Sequence, residues 1–466
     1  MFAWFLNLAY LALLAVVSPI LLFRMTVRGK YRTGWGQKLL GRVPRRNQNR
    51  RCLWFHAVSV GEVLQLQPLL ENISRSQPDL EVVISTTTPT GFDVAKKRYP
   101  TTPIFYFPLD FSWAVNSALA RIKPSAIVLV ELELWPNFIF AAAKHGIPVA
   151  LVNGRISERS FRGYLRIRPL IRAMLRKIDV LAVQTEVYAQ RLVALGADQA
   201  STIVTGSIKF DRIETDRDNP RTVELRRAFG LRETETVFIA GSTQDPEERF
   251  AIKSYRQLLS RFPDLRLILV PRHKERFDDV ARLVEKEFGL PLLRRSRLLA
   301  DLSTASHSLP SAICRGSQES VVDEPDDDCT SPPILLLDTI GELSACWGLA
   351  TIAFVGGSLT GRGGQNMIEP AGYGAAVLFG PNTWNFKDVV ELLLSQHAAQ
   401  VVRTPEELTA RLDELLADRE AVAKIGSRAR EIVTAQRGAT QHTADLLARL
   451  LPSIQTSGPN HKSRAA

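Results

Sequence analysis

Up to Phe23 the chain is almost wholly apolar, and beyond Arg51 short apolar runs alternate with amphipathic stretches. The run "CLWFHAVSVGE" predicts a buried strand that turns at glycine into a helix over "EVLQLQPLLENISRS". "LEVVISTTTPTG" predicts the next strand and turn, with a helix from about Phe92. "TPIFYFPLD", a helix near Ser112–Arg121, "PSAIVLVELELWPN", "IPVALVNGRIS", a basic helical stretch, "IDVLAVQT" and "STIVTGSIKFD" continue the alternation. Short β-branched strands separated by helices imply a parallel, doubly wound α/β sheet. The rhythm restarts at "TVFIAGST" and runs through "LRLILVPRH", "PILLLDTIGEL", "TIAFVGGS" and "AAVLFGP". Two Rossmann-like halves are therefore expected, at 52–210 and 223–451, joined by a polar linker at 211–222. Ligands in such sheets bind at the C-terminal strand ends, which places a cleft between the halves. Residues 294–333 interrupt the second half with a Ser/Pro-rich, acidic insertion, and 452–466 form a polar tail.

Charge refines this picture at the N-terminus. Residues 1–23 carry no charge, whereas 24–51 hold Arg24, Arg28, Lys30, Arg32, Lys38, Arg42, Arg45, Arg46, Arg50 and Arg51 and no carboxylate. This flank accounts for nearly all of the net charge of +11. The body of the chain thus lacks the basic surface of a nucleic-acid binder. The charges follow the apolar run, against a signal peptide. Residues 1–23 read as a membrane anchor, although Asn7 and Pro19 interrupt it, and the flank favours the cytoplasmic face and anionic lipids. Cys52, Cys314, Cys329 and Cys346 form neither a metal-type pair nor a disulfide framework, and read as reduced thiols.

Candidate chemistry gathers at predicted strand ends. Glu62, the first carboxylate of the chain, stands at a helix start, where it serves either the helix dipole or as a general base. Glu131 and Glu133 are expected on one side of an extended strand, where paired carboxylates would perturb each other, or to form a cap or salt bridge. Lys209 follows a strand and reads as a solvated lysine or a cation for a departing phosphate. Arg272 ends an apolar strand, in position to grip phosphate. His273 beside it orients a ligand or is structural. "DTIGEL" predicts a helix start with free N–H groups. "FVGGSLTGRGGQNMIEP" joins a glycine-rich loop to Asn366 and Glu369, a pattern suited to a sugar nucleotide. "PDDDC" lies in the insertion, away from any strand, and reads as no metal site.

The ordered motifs "HAVSVGE", "TPTG", "ELELWPN", "NGRISERS", "VTGSIKFD", "PRHKERF", "DTIGEL", "FVGGSLTGRGGQN" and "GPNTWNFKD" resemble those of the bacterial 3-deoxy-D-manno-octulosonic acid (Kdo) transferases that act on lipid A precursors. The resemblance runs from about residue 1 to 450. It implies the two-domain GT-B fold, inverting transfer from CMP-Kdo to a lipid IVA-type acceptor, no metal or other cofactor, and residence at the cell inner membrane with the catalytic domains on the cytoplasmic face. It assigns Glu62 as the base, and Glu131 and Lys209 as transition-state stabilisers. It assigns Pro271, Arg272, Ile340, Gly341, Glu342, Asn366, Met367, Ile368 and Glu369 to the CMP-binding segments. Gln244 and Gln365 stand where the family usually has histidine, and a glutamine can hydrogen-bond but not titrate. The insertion at 294–333 is also longer than the family leads one to expect. The alternatives are a GT-B transferase using another nucleotide sugar on a lipid acceptor, and a catalytically silent membrane scaffold.

Overall fold

The computed structural model describes residues 2–27, 33–46, 50–304 and 331–451. Most of the expected insertion, including the acidic run Asp326–Asp328, lies outside the described residues, as do the tail and part of the basic flank.

The chain forms two compact units, one of residues up to Arg212 together with those from Gln436 on, the other of Ile213–Ala435. The first unit holds β1 (Cys52–His56), β2 (Glu81–Thr86), β3 (Ile104–Tyr106), β4 (Ala126–Val130), β5 (Val149–Gly154), β6 (Val180–Val183) and β7 (Thr202–Val204). They form a parallel sheet in the order β3-β2-β1-β4-β5-β6-β7. Both faces are covered, so β1 is buried at every position. Trp54 joins the core on one side, while Leu53 and Phe55 join the core on the other. A strand sandwiched in this way reads as continuous apolar sequence. The strand order reverses between β1 and β4, which sets the switch point of this sheet.

The second unit repeats the plan with β8 (Thr236–Thr243), β9 (Leu265–Pro271), β10 (Leu292–Arg294), β11 (Ile334–Leu336), β12 (Ile352–Val355), β13 (Ala376–Phe379) and β14 (Ala399–Val401). The order is β10-β11-β9-β8-β12-β13-β14, again parallel, with the reversal between β8 and β12.

The domain boundaries differ from the expected ones. The second half was expected to run to residue 451, but the helix Ala439–Leu450 belongs to the first unit. Ala439, Ala444 and Leu447 complete the apolar core around Leu66, Leu69 and Ile73. Asp211 fixes the return by accepting the N–H groups of Gly438 at 2.7 Å and Thr440 at 2.5 Å. The expected linker is also largely part of the second unit. The Arg217 guanidinium donates to the carbonyls of Tyr373 and Ala350 at 2.8 Å each, and Asn219 caps the helix Pro220–Ala228.

Residues Phe2–Val27 form one helix with Pro19 inside it. Asn7 is buried, and its amide donates to Ser112 Oγ at 2.7 Å while its carbonyl oxygen accepts the Ser112 N–H at 3.0 Å. Tyr10 donates to Asp110 at 3.0 Å. Trp4, Phe5, Leu8 and Val16 of the same helix stay exposed. Among the described residues no helix is long and apolar enough to cross a membrane.

Candidate functional site

In the first unit the helix Val60–Ser76 leaves β1 at the switch point, and Ser59 caps it with Glu62 in a reciprocal capping box. Glu62 Oε2 accepts the Val58 N–H at 2.8 Å, and Oε1 accepts the Ser59 hydroxyl at 2.7 Å and the Ser59 N–H at 3.3 Å. Burial pushes the Glu62 pKa up, and these hydrogen bonds oppose the rise without cancelling it. Glu62 is thus both the helix carboxylate and a carboxyl group with raised basicity.

Glu131 corrects a sequence expectation. Strand β4 ends at Val130, so Glu131 and Glu133 do not share a face of a strand. Glu131 takes a left-handed φ of 60°, uncommon for a residue with a side chain. Its N–H still reaches the Val152 carbonyl at 2.9 Å, and its carboxylate pairs with Arg155 at 2.8 Å. The sharp turn at Glu131 puts Glu133 in reach of the Trp135 indole N–H, at 2.9 Å. Burial, reinforced by the charges of Glu62 and Glu131, pushes the Glu133 carboxyl up to about 7. Glu62, Glu131 and Glu133 therefore act on one another at the ends of the two strands flanking the switch point. Glu133 is the member that sequence reasoning noticed but gave no role.

Lys209 sits in the short 3-10 turn Ile208–Phe210, whose flanking side chains are buried. Asn153, at the end of β5 with φ 53°, accepts the Ile208 N–H at 3.3 Å and donates to Gln65 Oε1 at 2.8 Å. Gln65 is one turn after Glu62 on the same helix, so Asn153 ties the Lys209 turn to the helix that carries Glu62. The asparagine in "LVNGR" was the sequence signal for this link.

In the second unit the loops after β8 and β12 meet at that sheet's switch point. Glu247 is fully buried and accepts four backbone N–H groups: Gln244 at 3.0 Å, Gly357 at 2.7 Å, Ser358 at 3.0 Å and Leu359 at 3.0 Å. It staples the glycine loop to the "STQDPEE" turn. The fit is close enough that a Cβ on Gly356 would stand 2.5 Å from Thr243 Cα. Gln244 and Gln365 approach the same point, since a Cβ on Gly357 would meet their side-chain nitrogens at 3.4 Å and 3.3 Å. The two departures from the family pattern are thus spatial neighbours.

The expected donor-binding segments converge in part. Asn366 donates to Glu369 at 2.8 Å and accepts the Ile368 N–H at 3.1 Å. Glu369 is pushed up by burial and held down by hydrogen bonds from Asn366 and Ser344 and by the charge of Arg272. Arg272, which follows Pro271 at the end of β9, is thereby close to the "GELS" and "NMIE" segments. Ile340 is exposed and Gly341 takes φ 93°. Glu342 is engaged by Arg295 at 2.9 Å and by Thr339, and lies below the usual carboxylate range despite its burial. The helix that "DTIGEL" was expected to open is only Leu343–Cys346. Met367 and Ile368 have buried side chains, so any ligand contact there falls to their backbone.

The fold and these two sites define the class first. The crystal structure of UDP-GlcNAc 2-epimerase from Neisseria meningitidis bound to UDP-GlcNAc shares the fold with a TM-score of 0.52 at 12% identity, over 86% of this chain and 100% of that one. Two Rossmann-like α/β units of this kind make a GT-B protein. Sequence comparison is more specific. The family described as 3-deoxy-D-manno-octulosonic-acid transferase (kdotransferase) matches residues 33–212. The 3-deoxy-D-manno-octulosonic acid transferase of Haemophilus influenzae is 32% identical over 397 residues, 85% of this chain and 86% of that protein. The Bordetella pertussis protein of the same name is 32% identical over 407 residues, with the same coverage. The chain belongs to the Kdo transferase family and is a glycosyltransferase.

Proposed function

We propose that this enzyme transfers Kdo from CMP-Kdo to a phosphorylated, acylated disaccharide precursor of lipid A, with inversion and without a metal. The observation that carries the reading is Glu62, a carboxyl group of raised basicity fixed at a switch point by a capping box. Glu62 removes the proton from an acceptor hydroxyl as that oxygen attacks the anomeric carbon of Kdo from the face opposite CMP. The bond to the CMP phosphate breaks, and the electron pair leaves with the nucleotide. Lys209 and Arg272 neutralise charge on the departing phosphate, and Asn366 and Glu369 supply hydrogen bonds to the nucleotide. Glu131 places negative charge where oxocarbenium character develops.

The exposed Trp4, Phe5, Leu8 and Val16 and the basic flank support a further part of the proposal. The N-terminal helix holds the enzyme on the inner membrane at its cytoplasmic face, against anionic lipids, where such an acceptor resides.

The test is a transfer assay with tetraacylated lipid A precursor and CMP-Kdo in the presence of EDTA, read as lipid mass. The expected result is a gain of one or more Kdo masses, with Glu62→Gln slower by about 10²–10⁴-fold while still folded and still binding CMP. Folded wild-type protein that binds UDP in preference to CMP and leaves the lipid mass unchanged would overturn the donor and acceptor together.

A further inference from the structure

A cavity of about 1040 Å³ opens in the first unit between the later turns of the helix Val60–Ser76, the helix Pro89–Arg98 and the outer edge of β2. It exists because the sheet edge is incomplete. Strand β3 pairs with Ile84–Thr86, so among the described residues Glu81–Val83 have β1 on one side and no strand on the other. The partly buried Leu70, Leu80 and Val82 give the cavity its apolar wall. The proposed base is elsewhere on the same helix. Nine residues separate Glu62 from Glu71, about 14 Å along the axis, and Pro68 lies between them.

The charges around the cavity are unbalanced. Of its two carboxylates, Glu81 pairs with Arg46 at 2.7 Å and Glu71 with Arg212 at 2.8 Å. Arg45, Arg75 and Arg98 also line it, and among the described residues none has a carboxylate within ion-pair distance. Arg98 donates to the neutral Gln67 carbonyl at 2.7 Å, and Arg75 to the Glu71 main-chain carbonyl at 3.3 Å. Three exposed guanidinium groups thus retain net positive charge beside an apolar recess large enough for a small ligand. An inorganic anion would leave the apolar wall unused, and a neutral lipid would leave the arginines unused.

We propose that this cavity binds a single-chain amphiphile with an anionic head group, with the alkyl chain against Leu70, Leu80 and Val82 and the head group on Arg45, Arg75 and Arg98. This is a second ligand site of the first unit, separate from the carboxylate cluster.

The experiment is photo-cross-linking of the purified full-length protein, in neutral detergent, with dodecyl phosphate carrying a diazirine in its chain, followed by peptide mapping. Label is expected on peptides containing Leu70–Ser74 and Thr101–Phe105. It should be displaced by unlabelled dodecyl phosphate, but not by dodecyl maltoside or inorganic phosphate. The double substitution Arg75→Ala/Arg98→Ala is expected to weaken capture by about tenfold or more, through loss of two charge-assisted contacts. Both arginines are exposed, so the fold should survive, which a melting curve checks. Val82→Trp, which fills the recess and keeps the arginines, should also abolish the label. Labelling confined to other peptides, equal competition by dodecyl maltoside, displacement by inorganic phosphate alone, or indifference to both variants would each overturn the proposal.

Discussion

At the scale of single residues, the carboxylate cluster makes a claim about pH. Glu133 is raised from an ordinary 4.5 to about 7, mainly by burial and then by the neighbouring charge of Glu62. Between those values the folded protein keeps a proton that the unfolded chain releases, so stability falls as pH rises through this window. Glu133→Gln removes the titration while keeping the shape and the acceptor for the Trp135 N–H. Its melting temperature relative to wild type is expected to rise between pH values below 4.5 and above 7. A difference that does not change with pH would show that Glu133 is not perturbed. Sequence pattern marked Glu62, Glu131 and Lys209 because each stands at or just past the end of an expected strand. It could not yield the Arg155 partner of Glu131, the left-handed turn there, or the raised pKa of Glu133. Those depend on which strand ends lie side by side.

At the scale of elements, Glu247 shows how a loop is held at a switch point. Its carboxylate satisfies four backbone N–H groups from two segments, and hydrogen bonds to a charged acceptor are the strong ones. Glu247→Ala leaves buried donors unpaired and is expected to cost about 2–4 kcal/mol, on the basis of one or two uncompensated groups. Chemical denaturation should show the loss, together with weaker CMP binding. Unchanged stability would mean that water satisfies the loop. The sequence displayed the glycine loop and the "PEE" turn as separate features, over 100 residues apart. That one carboxylate joins them was invisible until β8 and β12 were seen to be neighbours. Sequence alone likewise recognised Gln244 and Gln365 as departures but not as a pair.

At the scale of the molecule, the chain crosses to its second unit at Ile213 and returns at Gln436. A chain ending at Ala435 would expose Leu66, Leu69 and Ile73, which the returning helix covers. Limited proteolysis of that shortened chain is expected to cut the first unit and spare Ile213–Ala435. Equal resistance of both units would show that the first closes its core without the return. Sequence missed the return because the helix Ala439–Leu450 is amphipathic, and an amphipathic helix declares that it has a core face without naming the core.

What the sequence determined by itself was local and periodic: two series of buried parallel strands, the residues at their ends, an apolar N-terminus with a basic flank, and through its ordered motifs the family. Such features follow from backbone geometry and from which side chains tolerate burial on both faces of a sheet. The tertiary structure decided what depends on residues distant in the chain: the sheet order and its two switch points, the owner of the last helix, the pairing of Glu131 with Arg155, the coupling of Glu133 to Glu62, and the open edge of β2. Each is set by contacts between segments whose separation in sequence carries no record of their distance in space.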